Sequence, residues 1–418
     1  MPPAPSLSGV RVLIWGLGRH GGGLAAARLC RHEGAVVAIL DAKPAAQCGT
    51  DGTAALAEGY PCHVGDPAHP AFRSAELIVP SPAIPPRAWP ASHPPVASPE
   101  ALAFERHRGR RVGVTGTKGK STTAMLTGAL LGWGVAGNSW RPLCEAVLED
   151  PEADLVCELS SFQLWYLRDQ APHFDAAILT LLATDHLDWH PDIAHYRNAK
   201  LALLGWAGVV AAAAQTLPLL PAGTPLLAQA AEPAGADLRV PGPHNRANAA
   251  LALAVARHLG AVEADLLPRL RAAEPLPHRL RTVHVSGTLA FVDDSIATTP
   301  EAAMAGLASF AGPLAIILGG SDKGADFAAL AAAVATREAR PILLGATAER
   351  IRTALTAAGI AAPIATDLDT AIRLAIAALA GRGTVLLSPA CASFDLFRGF
   401  DHRGDCFAEA ARRLAATA

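Results

Sequence analysis

Short apolar segments alternate along the chain with polar, glycine-rich turns and longer amphipathic segments. The apolar segments at residues 9–14 and 35–40 flank a predicted helix at 24–32, and the segment 112–115 precedes a predicted helix at 122–131. Short apolar runs bounded by glycine turns are typical of parallel strands whose two faces are covered by helices. The pattern therefore predicts the α/β fold class.

The same alternation continues through the rest of the chain. Predicted strands lie at residues 155–159, 176–181, 288–292, 314–318, 341–344 and 384–387, and a long helix lies at 244–259. Polar clusters follow these strands, and in an open α/β sheet the carboxyl ends of the strands form the binding crevice. We expect the domains to face one another across this edge, with a nucleotide between two of them.

Two proline-rich segments suggest domain boundaries. Residues 80–99 carry eight prolines, and residues 275–279 read P-L-P-H-R. Neither helices nor central strands tolerate such proline density. We predict three domains: a Rossmann-like nucleotide-binding domain at 1–104, a central phosphate-loop ATPase-like domain with a mostly parallel sheet at 105–275, and a second Rossmann-like domain at 276–418.

Composition narrows the class of protein. The 418 residues are 51% hydrophobic and 17% charged, and the net charge of −2 argues against a nucleic-acid-binding surface. The seven cysteines form no C-x-x-C pair, which indicates reduced thiols and a cytoplasmic location. Two long uncharged runs, 201–231 and 302–320, are interrupted by proline or glycine, so we expect no membrane insertion.

The segment T-G-T-K-G-K-S-T follows the strand at 112–115 and predicts a phosphate-binding loop. Glycines let backbone N–H groups approach phosphate oxygens, and the following helix N-terminus favours anions. Lys120 is placed to reach the β/γ-phosphates, and the Ser121 hydroxyl to reach Mg²⁺. The general motif has glycine where this chain has Val114, so the loop is a compact variant. The nucleotide contacts predicted here are Gly116, Thr117, Lys118, Gly119, Lys120, Ser121 and Thr122.

A second glycine-rich turn, G-L-G-R-H-G, follows the first strand. Gly16, Gly18 and Gly21 match a dinucleotide fingerprint, and Asp41 follows at the end of the next strand. Alone, this pattern is compatible with an NAD-dependent dehydrogenase, with any other pyrophosphate-bearing nucleotide, or with a purely structural turn.

Other polar residues lie where a phosphate-loop enzyme holds metal ions. Glu158 ends a buried strand, a position from which carboxylates often bind Mg²⁺, although it is also compatible with a solvated strand end. Residues 183–190 read A-T-D-H-L-D-W-H, which is either a ligand-rich loop or a polar surface loop. Asn248 lies in the first turns of the helix at 244–259, where asparagine also serves as a capping or surface residue.

Together these clusters resemble one family, the Mur ligases, from about residue 9 to residue 414. The matching motifs are T-G-T-K-G-K-S-T, E-L-S-S-F-Q-L, D-H-L-D-W-H, Y-R-N-A-K, G-P-H-N-R-A-N, P-H-R, D-D-S-I-A-T, L-G-G-S-D-K-G-A-D-F and L-S-P-A-C-A-S-F-D-L-F. Within the family, E-L-S-S-F-Q, K-G-A-D-F and S-P-A-C-A-S resemble the members that add glutamate to UDP-N-acetylmuramoyl-L-alanine.

The resemblance implies an ADP-forming amide ligation in peptidoglycan precursor synthesis. ATP phosphorylates the free carboxylate of UDP-N-acetylmuramoyl-L-alanine, and the amine of glutamate attacks the resulting acyl phosphate. It also implies two Mg²⁺ sites and two small-molecule substrates. We expect a monomer.

The resemblance also assigns roles to individual residues. Lys120 and Ser121 would contact the β/γ-phosphates and the first Mg²⁺, with Glu158 as a ligand of that ion. His186 and Lys200 would hold the second Mg²⁺, with Lys200 carbamylated because an ammonium group cannot ligate a cation; Lys120, His186 and Lys200 are the candidate catalytic residues. The remaining nucleotide contacts would be Asn248, Arg279 and Asp294. The UDP-substrate site would contain Leu17, Gly18, Arg19, Asp41, Ser81 and Asn138, and the glutamate pocket Thr298, Lys323, Ser393 and Phe400.

Three departures from the family pattern bear on the substrates. Ile296 lies where ligases for D-glutamate usually have lysine, Ala83 where glycine is usual, and Ser139-Trp140 where Ile-Gly is usual. The S-I-A-T-T-P form and H-L-D-W-H also resemble a branch that adds L-glutamate. K-G-A-D-F and P-A-C-A-S resemble the D-glutamate enzymes more closely, so we favour D-glutamate.

Three other functions remain open on the sequence. A dehydrogenase leaves Lys120, Glu158 and His186 unexplained. A non-catalytic nucleotide-binding regulator would bind ATP without releasing phosphate. A folylpolyglutamate-type ligase should not need the S-P-A-C-A-S segment.

Overall fold

The structure is a computed structural model that describes residues 6–18, 21–234 and 238–415. These residues form three β-sheets, each surrounded by helices, and the predicted α/β fold class is confirmed. They divide into two compact units. The first extends to Glu232 and includes Asn248–Leu270, and the second comprises Pro233–Ala247 and the chain from Arg271 onward.

The strands of the described residues fall in three groups along the chain. They are β1 (Arg11–Trp15), β2 (Val36–Asp41), β3 (Cys62–Val64), β4 (Leu77–Pro80), β5 (Arg111–Thr115), β6 (Gly134–Gly137), β7 (Leu155–Glu158), β8 (Phe174–Leu179), β9 (Ala207–Ala212), β10 (Arg281–Ser286), β11 (Thr288–Asp293), β12 (Leu314–Leu318), β13 (Arg340–Leu343) and β14 (Arg382–Leu387).

The helices lie between these strands. They are α1 (Gly22–His32), α2 (Gly49–Ala57), α3 (Pro70–Ser74), α4 (Pro99–Arg106), α5 (Lys120–Leu131), α6 (Leu143–Glu149), α7 (Ser161–Leu167), α8 (Ile193–Gly205), α9 (Pro243–His258), α10 (Glu263–Ala272), α11 (Pro300–Leu307), α12 (Ala328–Thr336), α13 (Ala348–Ala357), α14 (Leu368–Ala378) and α15 (Phe400–Ala415). None of the helices in the described ranges is long and apolar enough to cross a membrane.

The first unit contains two parallel sheets. Their strand orders are β3-β2-β1-β4 and β6-β7-β5-β8-β9. In the second sheet β5 is central and all five of its residues are buried, as expected for a parallel strand covered on both faces. Because β6, β7, β5 and β8 are neighbours, the loops at their carboxyl ends lie side by side.

The second unit contains one mixed sheet of order β10-β11-β14-β12-β13. Only the β10–β11 pair is antiparallel among its described strands. The apolar strand β12 is fully buried between two clusters of side chains, one on each face of the sheet. The carboxyl ends of β11, β14 and β12 are adjacent and carry the polar segments singled out from the sequence.

The predicted boundaries at 104 and 275 stay predictions. Phe104 lies within α4, which follows the proline-rich segment directly. Pro275 lies close to Arg271, where the longer segment of the second unit begins. Between β4 and α4 the described chain has no helix beyond a 3₁₀ turn at Pro86–Ala88, as its proline content requires.

Candidate functional site

The predicted phosphate loop connects β5 to α5 in a conformation that requires glycine. Gly116 and Gly119 have φ angles of +146° and +90°, which side chains rarely adopt. A Cβ atom on Gly116 would collide with Thr180 Oγ1, and one on Gly119 would lie 2.9 Å from Asn248 Oδ1. Asn248 therefore lies beside the loop. The N-cap residue of α5 is Gly119, which has no side chain to cap the helix, and the positive end of the helix dipole lies at the loop.

Two lysine side chains converge on the carbonyl group of Gly116. Lys120 Nζ donates to the Gly116 and Thr117 carbonyl oxygens at 3.1 Å each, and Lys200 Nζ donates to the Gly116 oxygen at 2.8 Å. Lys200 comes from α8, which follows the ligand-rich loop. Two lysine side chains thus lie at the loop where the sequence predicts phosphate.

Lys200 is in an environment that disfavours its charged form. The side chain is only 2% exposed, and burial, then the charge of Lys120, lowers the pKa of its amine well below the ordinary value. The charges of Asp185 and Glu158 oppose this shift only in part. The lowered pKa increases the fraction of this amine that is neutral at a given pH.

Glu158 ends β7 with its side chain fully buried. Oε1 accepts hydrogen bonds from Asn138 Nδ2 at 2.9 Å and Ser139 Oγ at 3.2 Å, and Oε2 accepts one from Trp140 Nε1 at 2.9 Å. The predicted substrate residue Asn138 therefore also contacts the predicted metal ligand.

The loop after β8 supplies His186. Its φ angle is +55°, and Nε2 lies 3.9 Å from Asp185 Oδ2, while Asp185 also lies 3.7 Å from Lys118 Nζ. Burial lowers the pKa of His186, and Lys200 and Lys120 contribute, against the opposing charge of Asp185. By contrast, His190 is fully buried and hydrogen-bonded to Ser161 Oγ at 2.9 Å, so it belongs to the core of the loop.

The donor atoms in this region fit a magnesium site completed by phosphates. The Ser121 hydroxyl and the Glu158 carboxylate are hard oxygen donors, the type that Mg²⁺ prefers. Across the part of the chain that is described, no three His, Cys, Asp or Glu residues form a metal cluster. His186, with its lowered pKa, suits a second ion, but Lys200 suits it only if the amine is converted to a carboxylate-like group.

A cavity of about 780 Å³ in the first unit gathers the predicted UDP-substrate residues. Its lining includes Leu17, Gly18, Asp41, Ser81 and Asn138. Arg19 lies outside the described residues.

The glycine turn at the edge of this cavity is held by acidic side chains. Asp41 Oδ2 accepts the N–H of Leu17, and Asp51 Oδ2 accepts the N–H of Gly21, each at 3.0 Å. Asp51 was not among the residues singled out from the sequence, because nothing in its local pattern links it to the turn.

In the second unit, the predicted nucleotide residues Arg279 and Asp294 influence each other. Asp294 Oδ2 accepts a hydrogen bond from Ser388 Oγ at 2.7 Å. Burial raises the pKa of Asp294 to about 7, and the hydrogen bond from Ser388 and the charge of Arg279 oppose this rise. Next to it, His278 Nδ1 lies 2.7 Å from Asp293 Oδ2, and this contact raises the pKa of His278.

The predicted glutamate residues lie on loops after adjacent strands. Thr298 follows β11, Lys323 follows β12, and Ser393 follows β14. Backbone hydrogen bonds join these loops, from Ala390 N to the Ala297 oxygen at 2.9 Å and from Ser321 N to the Ala392 oxygen at 2.8 Å. Lys323 is exposed, Ser393 is buried, and Phe400 at the start of α15 is 38% exposed.

Arg403 is a buried residue of this region that the sequence reasoning missed. Its guanidinium donates to the carbonyl oxygens of Ser295 at 2.8 Å and Cys391 at 3.1 Å, so it joins the loops after β11 and β14. Burial lowers its pKa to about 10. In the sequence this arginine lies in none of the motifs singled out, so no local signal identified it.

Comparison with known proteins identifies the family. The family model described as the Mur ligase, glutamate ligase domain matches residues 278–391, and the Mur ligase middle domain matches residues 142–217. The UDP-N-acetylmuramoylalanine–D-glutamate ligase of Nitratidesulfovibrio vulgaris is 35% identical, over 96% of each chain. The UDP-N-acetylmuramoyl-L-alanine–L-glutamate ligase of a Micromonospora species is also 35% identical, over 98% of each chain.

Solved structures share the fold. The UDP-N-acetylmuramate-alanine ligase of Thermotoga maritima has a TM-score of 0.62 at 18% identity and covers 98% of this chain and 100% of its own. Folylpolyglutamate synthase of Mycobacterium tuberculosis has a TM-score of 0.54 at 16% identity and covers 75% of this chain and 92% of its own. With curated relatives 35% identical over nearly their full length, the chain belongs to the Mur ligase family.

Proposed function

We propose that this protein joins glutamate to UDP-N-acetylmuramoyl-L-alanine in peptidoglycan precursor synthesis, with D-glutamate as the preferred amine. As a Mur ligase it is an ATP-dependent, ADP-forming amide ligase that acts on small molecules. The observation that carries the proposal is the convergence of Lys120 and Lys200 on the Gly116 carbonyl. We further propose that it acts as a monomer in the cytoplasm.

The chemistry begins at the phosphate loop. A carboxylate is a poor electrophile, and transfer of the γ-phosphoryl group of ATP gives it a leaving group. Lys120 exchanges its two carbonyl contacts for the β/γ-phosphates, and backbone N–H groups at the start of α5 contact the same oxygens. Ser121 and Glu158 would hold Mg²⁺, which neutralises the charge that collects on the phosphates. Asn248 lies beside Gly119, where it can contact the nucleotide.

We propose that Lys200 carries a carbamate. The neutral amine adds to CO₂, a C–N bond forms, and one proton is released to solvent. The product is an anionic carboxylate-like group that can bind the second Mg²⁺ together with the neutral imidazole of His186. The burial of Lys200 supports this proposal, because it lowers the pKa of the amine and so favours the neutral form that reacts with CO₂.

The cavity of the first unit is proposed as the UDP-substrate site. Asp41 and Ser81 offer acceptors to the nucleoside, and Leu17 and Gly18 bring backbone close to it. Asn138 lies on the side of the cavity nearest Glu158, so it suits the muramoyl-alanine end.

In the second unit, Arg279 and Asp294 are proposed to contact the nucleotide, and Lys323 to pair with a glutamate carboxylate. Thr298, Ser393 and Phe400 complete the proposed amino-acid pocket. The uncharged amine of glutamate attacks the acyl phosphate carbon, an amide C–N bond forms, and phosphate leaves through a tetrahedral intermediate.

L-glutamate is an alternative to D-glutamate as the amine substrate. Ile296 removes a cation that D-glutamate ligases usually carry, and relatives of both specificities are equally identical to this chain. Addition of L-glutamate is therefore the second candidate function. D-glutamate is favoured because K-G-A-D-F and P-A-C-A-S are present.

The test is phosphate release with ATP, Mg²⁺ and UDP-N-acetylmuramoyl-L-alanine, with D- and L-glutamate in separate tubes. We expect release that needs both substrates and is faster with D-glutamate. Faster release with L-glutamate would support the second candidate, and no release with either enantiomer would contradict the proposed substrates.

A further inference from the structure

The loop after β6 surrounds the carboxylate of Glu158 with three donors. Asn138, Ser139 and Trp140 are consecutive, and each points its side-chain donor at this one group, with distances of 2.9, 3.2 and 2.9 Å. Ser139 and Trp140 stand where the family usually has Ile-Gly, neither of which carries a side-chain donor. Two of the three contacts thus come from residues that depart from the usual pattern.

The backbone of this loop is tied to the same strand end. Gly137 is in register with Glu158 in the parallel β6–β7 pair, and Asn138 N donates to the Glu158 carbonyl oxygen at 2.9 Å. Trp140 N donates to the Gly137 oxygen at 2.9 Å, which closes a tight turn. Gly137 has a φ angle of +106°, and a Cβ atom there would collide with the Glu158 carbonyl oxygen. The indole of Trp140 is therefore held toward Glu158 by the backbone.

The two oxygens of the Glu158 carboxylate accept different numbers of hydrogen bonds from these three donors. An ionised carboxylate offers about four lone-pair sites, two on each oxygen. Oε1 receives two donors and Oε2 receives one. Among the hydrogen bonds of the described residues, the lone-pair site left without a donor is therefore on Oε2.

We propose that Trp140 is a positioning residue that fixes the orientation of the Glu158 carboxylate, so that Oε2 is presented to the Mg²⁺ of the phosphate loop while Asn138 and Ser139 occupy Oε1. This inference rests on the proposed function for the identity of the ion. The indole N–H suits the role because it donates only, carries no charge that repels the cation, and cannot itself ligate a metal. Hydrogen bonds to a metal-binding carboxylate fix its orientation and strengthen metal binding.

The experiment measures Mn²⁺ binding to the full-length protein in the presence of ADP, by electron paramagnetic resonance of free Mn²⁺. It uses neither glutamate nor the UDP substrate, so it stays informative if the proposed substrates are wrong. Trp140→Phe keeps the aromatic ring and removes the donor. We expect its Mn²⁺ Kd to rise about 10-fold.

Two further variants separate the hydrogen bond from the bulk of the side chain. Trp140→Gln keeps an N–H donor without the ring and should bind Mn²⁺ more tightly than Trp140→Phe. Trp133→Phe is the matched control, because Trp133 is half-buried just before β6 and contacts Arg110 instead. Its Mn²⁺ Kd should equal that of the wild type.

Wild-type Mn²⁺ affinity in Trp140→Phe would overturn the proposal. So would an equal loss in Trp133→Phe, since that would indicate general destabilisation. If Trp140→Phe does not fold, the comparison is made between Trp140→Gln, which keeps a donor, and Trp140→Leu, which has none. Equal Mn²⁺ affinity of these two variants would contradict the proposal. Tighter Mn²⁺ binding by Trp140→Gln would support it.

Discussion

Two glycine-rich turns of the first unit each lead into a helix, and they differ in the side chains that contact their backbone. Gly21 before α1 and Gly119 before α5 both have φ angles in the left-handed region, +76° and +90°. In the first turn, the carboxylates of Asp41 and Asp51 accept backbone N–H groups. In the second turn, the side-chain nitrogens of Lys120 and Lys200 donate to a backbone carbonyl.

The difference indicates that the side chains beside a glycine-rich turn determine which ligand fits it. Carboxylates beside a turn favour ligand groups that donate hydrogen bonds, such as ribose hydroxyls and the N–H edge of a base. Lysines beside a turn favour the polyphosphate of ATP. The first turn therefore suits the nucleoside of a substrate, and the second suits the phosphoryl donor.

The largest effect should come from Lys120→Ala. Loss of a preorganised cation at the phosphates should reduce ligase turnover by about 10³-fold. Binding of the UDP substrate, which concerns the other turn, should stay unchanged by isothermal titration calorimetry. Circular dichroism should show an intact fold, and wild-type turnover in this variant would remove the phosphate-loop assignment.

Lys200→Ala should have the next largest effect, a loss of turnover of about 100-fold, because a metal ligand is missing. Added short-chain carboxylic acids should restore part of the activity by occupying the place of the carbamate. Full activity without added acid would contradict the proposed carbamate.

The pH dependence offers a second check on Lys200. Only the neutral amine reacts with CO₂, and its pKa is lowered by burial. Activity should therefore persist below the ordinary pKa of lysine and decline on the acid side, as the pH falls through the lowered pKa and the ammonium form accumulates. Added bicarbonate should reduce this decline in the wild type and leave Lys200→Ala unaffected.

Asp41→Asn tests the first turn. Removing the charge of this acceptor should raise the KM for the UDP substrate about 10-fold, since hydrogen bonds to charged groups contribute more than neutral ones. The KM for ATP should not change. A raised KM for ATP alone would reverse the assignment of the two turns.

Asp51→Ala should have the smallest effect. It frees the Gly21 N–H and removes a negative charge at the start of α1, so the KM for the UDP substrate should fall by roughly twofold to fivefold. The same change removes a favourable carboxylate from the helix N-terminus, and the melting temperature should decrease slightly. A rise in this KM would show that Asp51 itself contacts the substrate.

The strands that could be predicted are those that are apolar throughout, such as β12, which matches the predicted residues 314–318. β6, with the sequence G-V-A-G, and β9, with A-G-V-V-A-A, were missed. Their alanine and glycine residues carry little hydrophobic signal, and each forms a strand because it pairs with an apolar neighbour, β7 or β8.

Sequence reasoning identified candidate site residues where a local motif indicates the chemistry. It missed those whose role depends on contacts with distant parts of the chain. The phosphate loop and Glu158 follow from strand ends and residue types. The contacts of Asp51 with Gly21, Trp140 with Glu158 and Arg403 with Ser295 join segments whose meeting depends on sheet order and loop geometry.

The most direct test of the account follows the oxygen atoms. UDP-N-acetylmuramoyl-L-alanine labelled with ¹⁸O at both oxygens of its carboxylate is incubated with ATP, Mg²⁺ and D-glutamate, and the released phosphate is analysed by mass spectrometry. The carboxylate oxygen that attacks the γ-phosphorus leaves with the phosphate. We therefore expect one ¹⁸O atom in each phosphate released. Phosphate without ¹⁸O would contradict activation of the carboxylate at the phosphate loop.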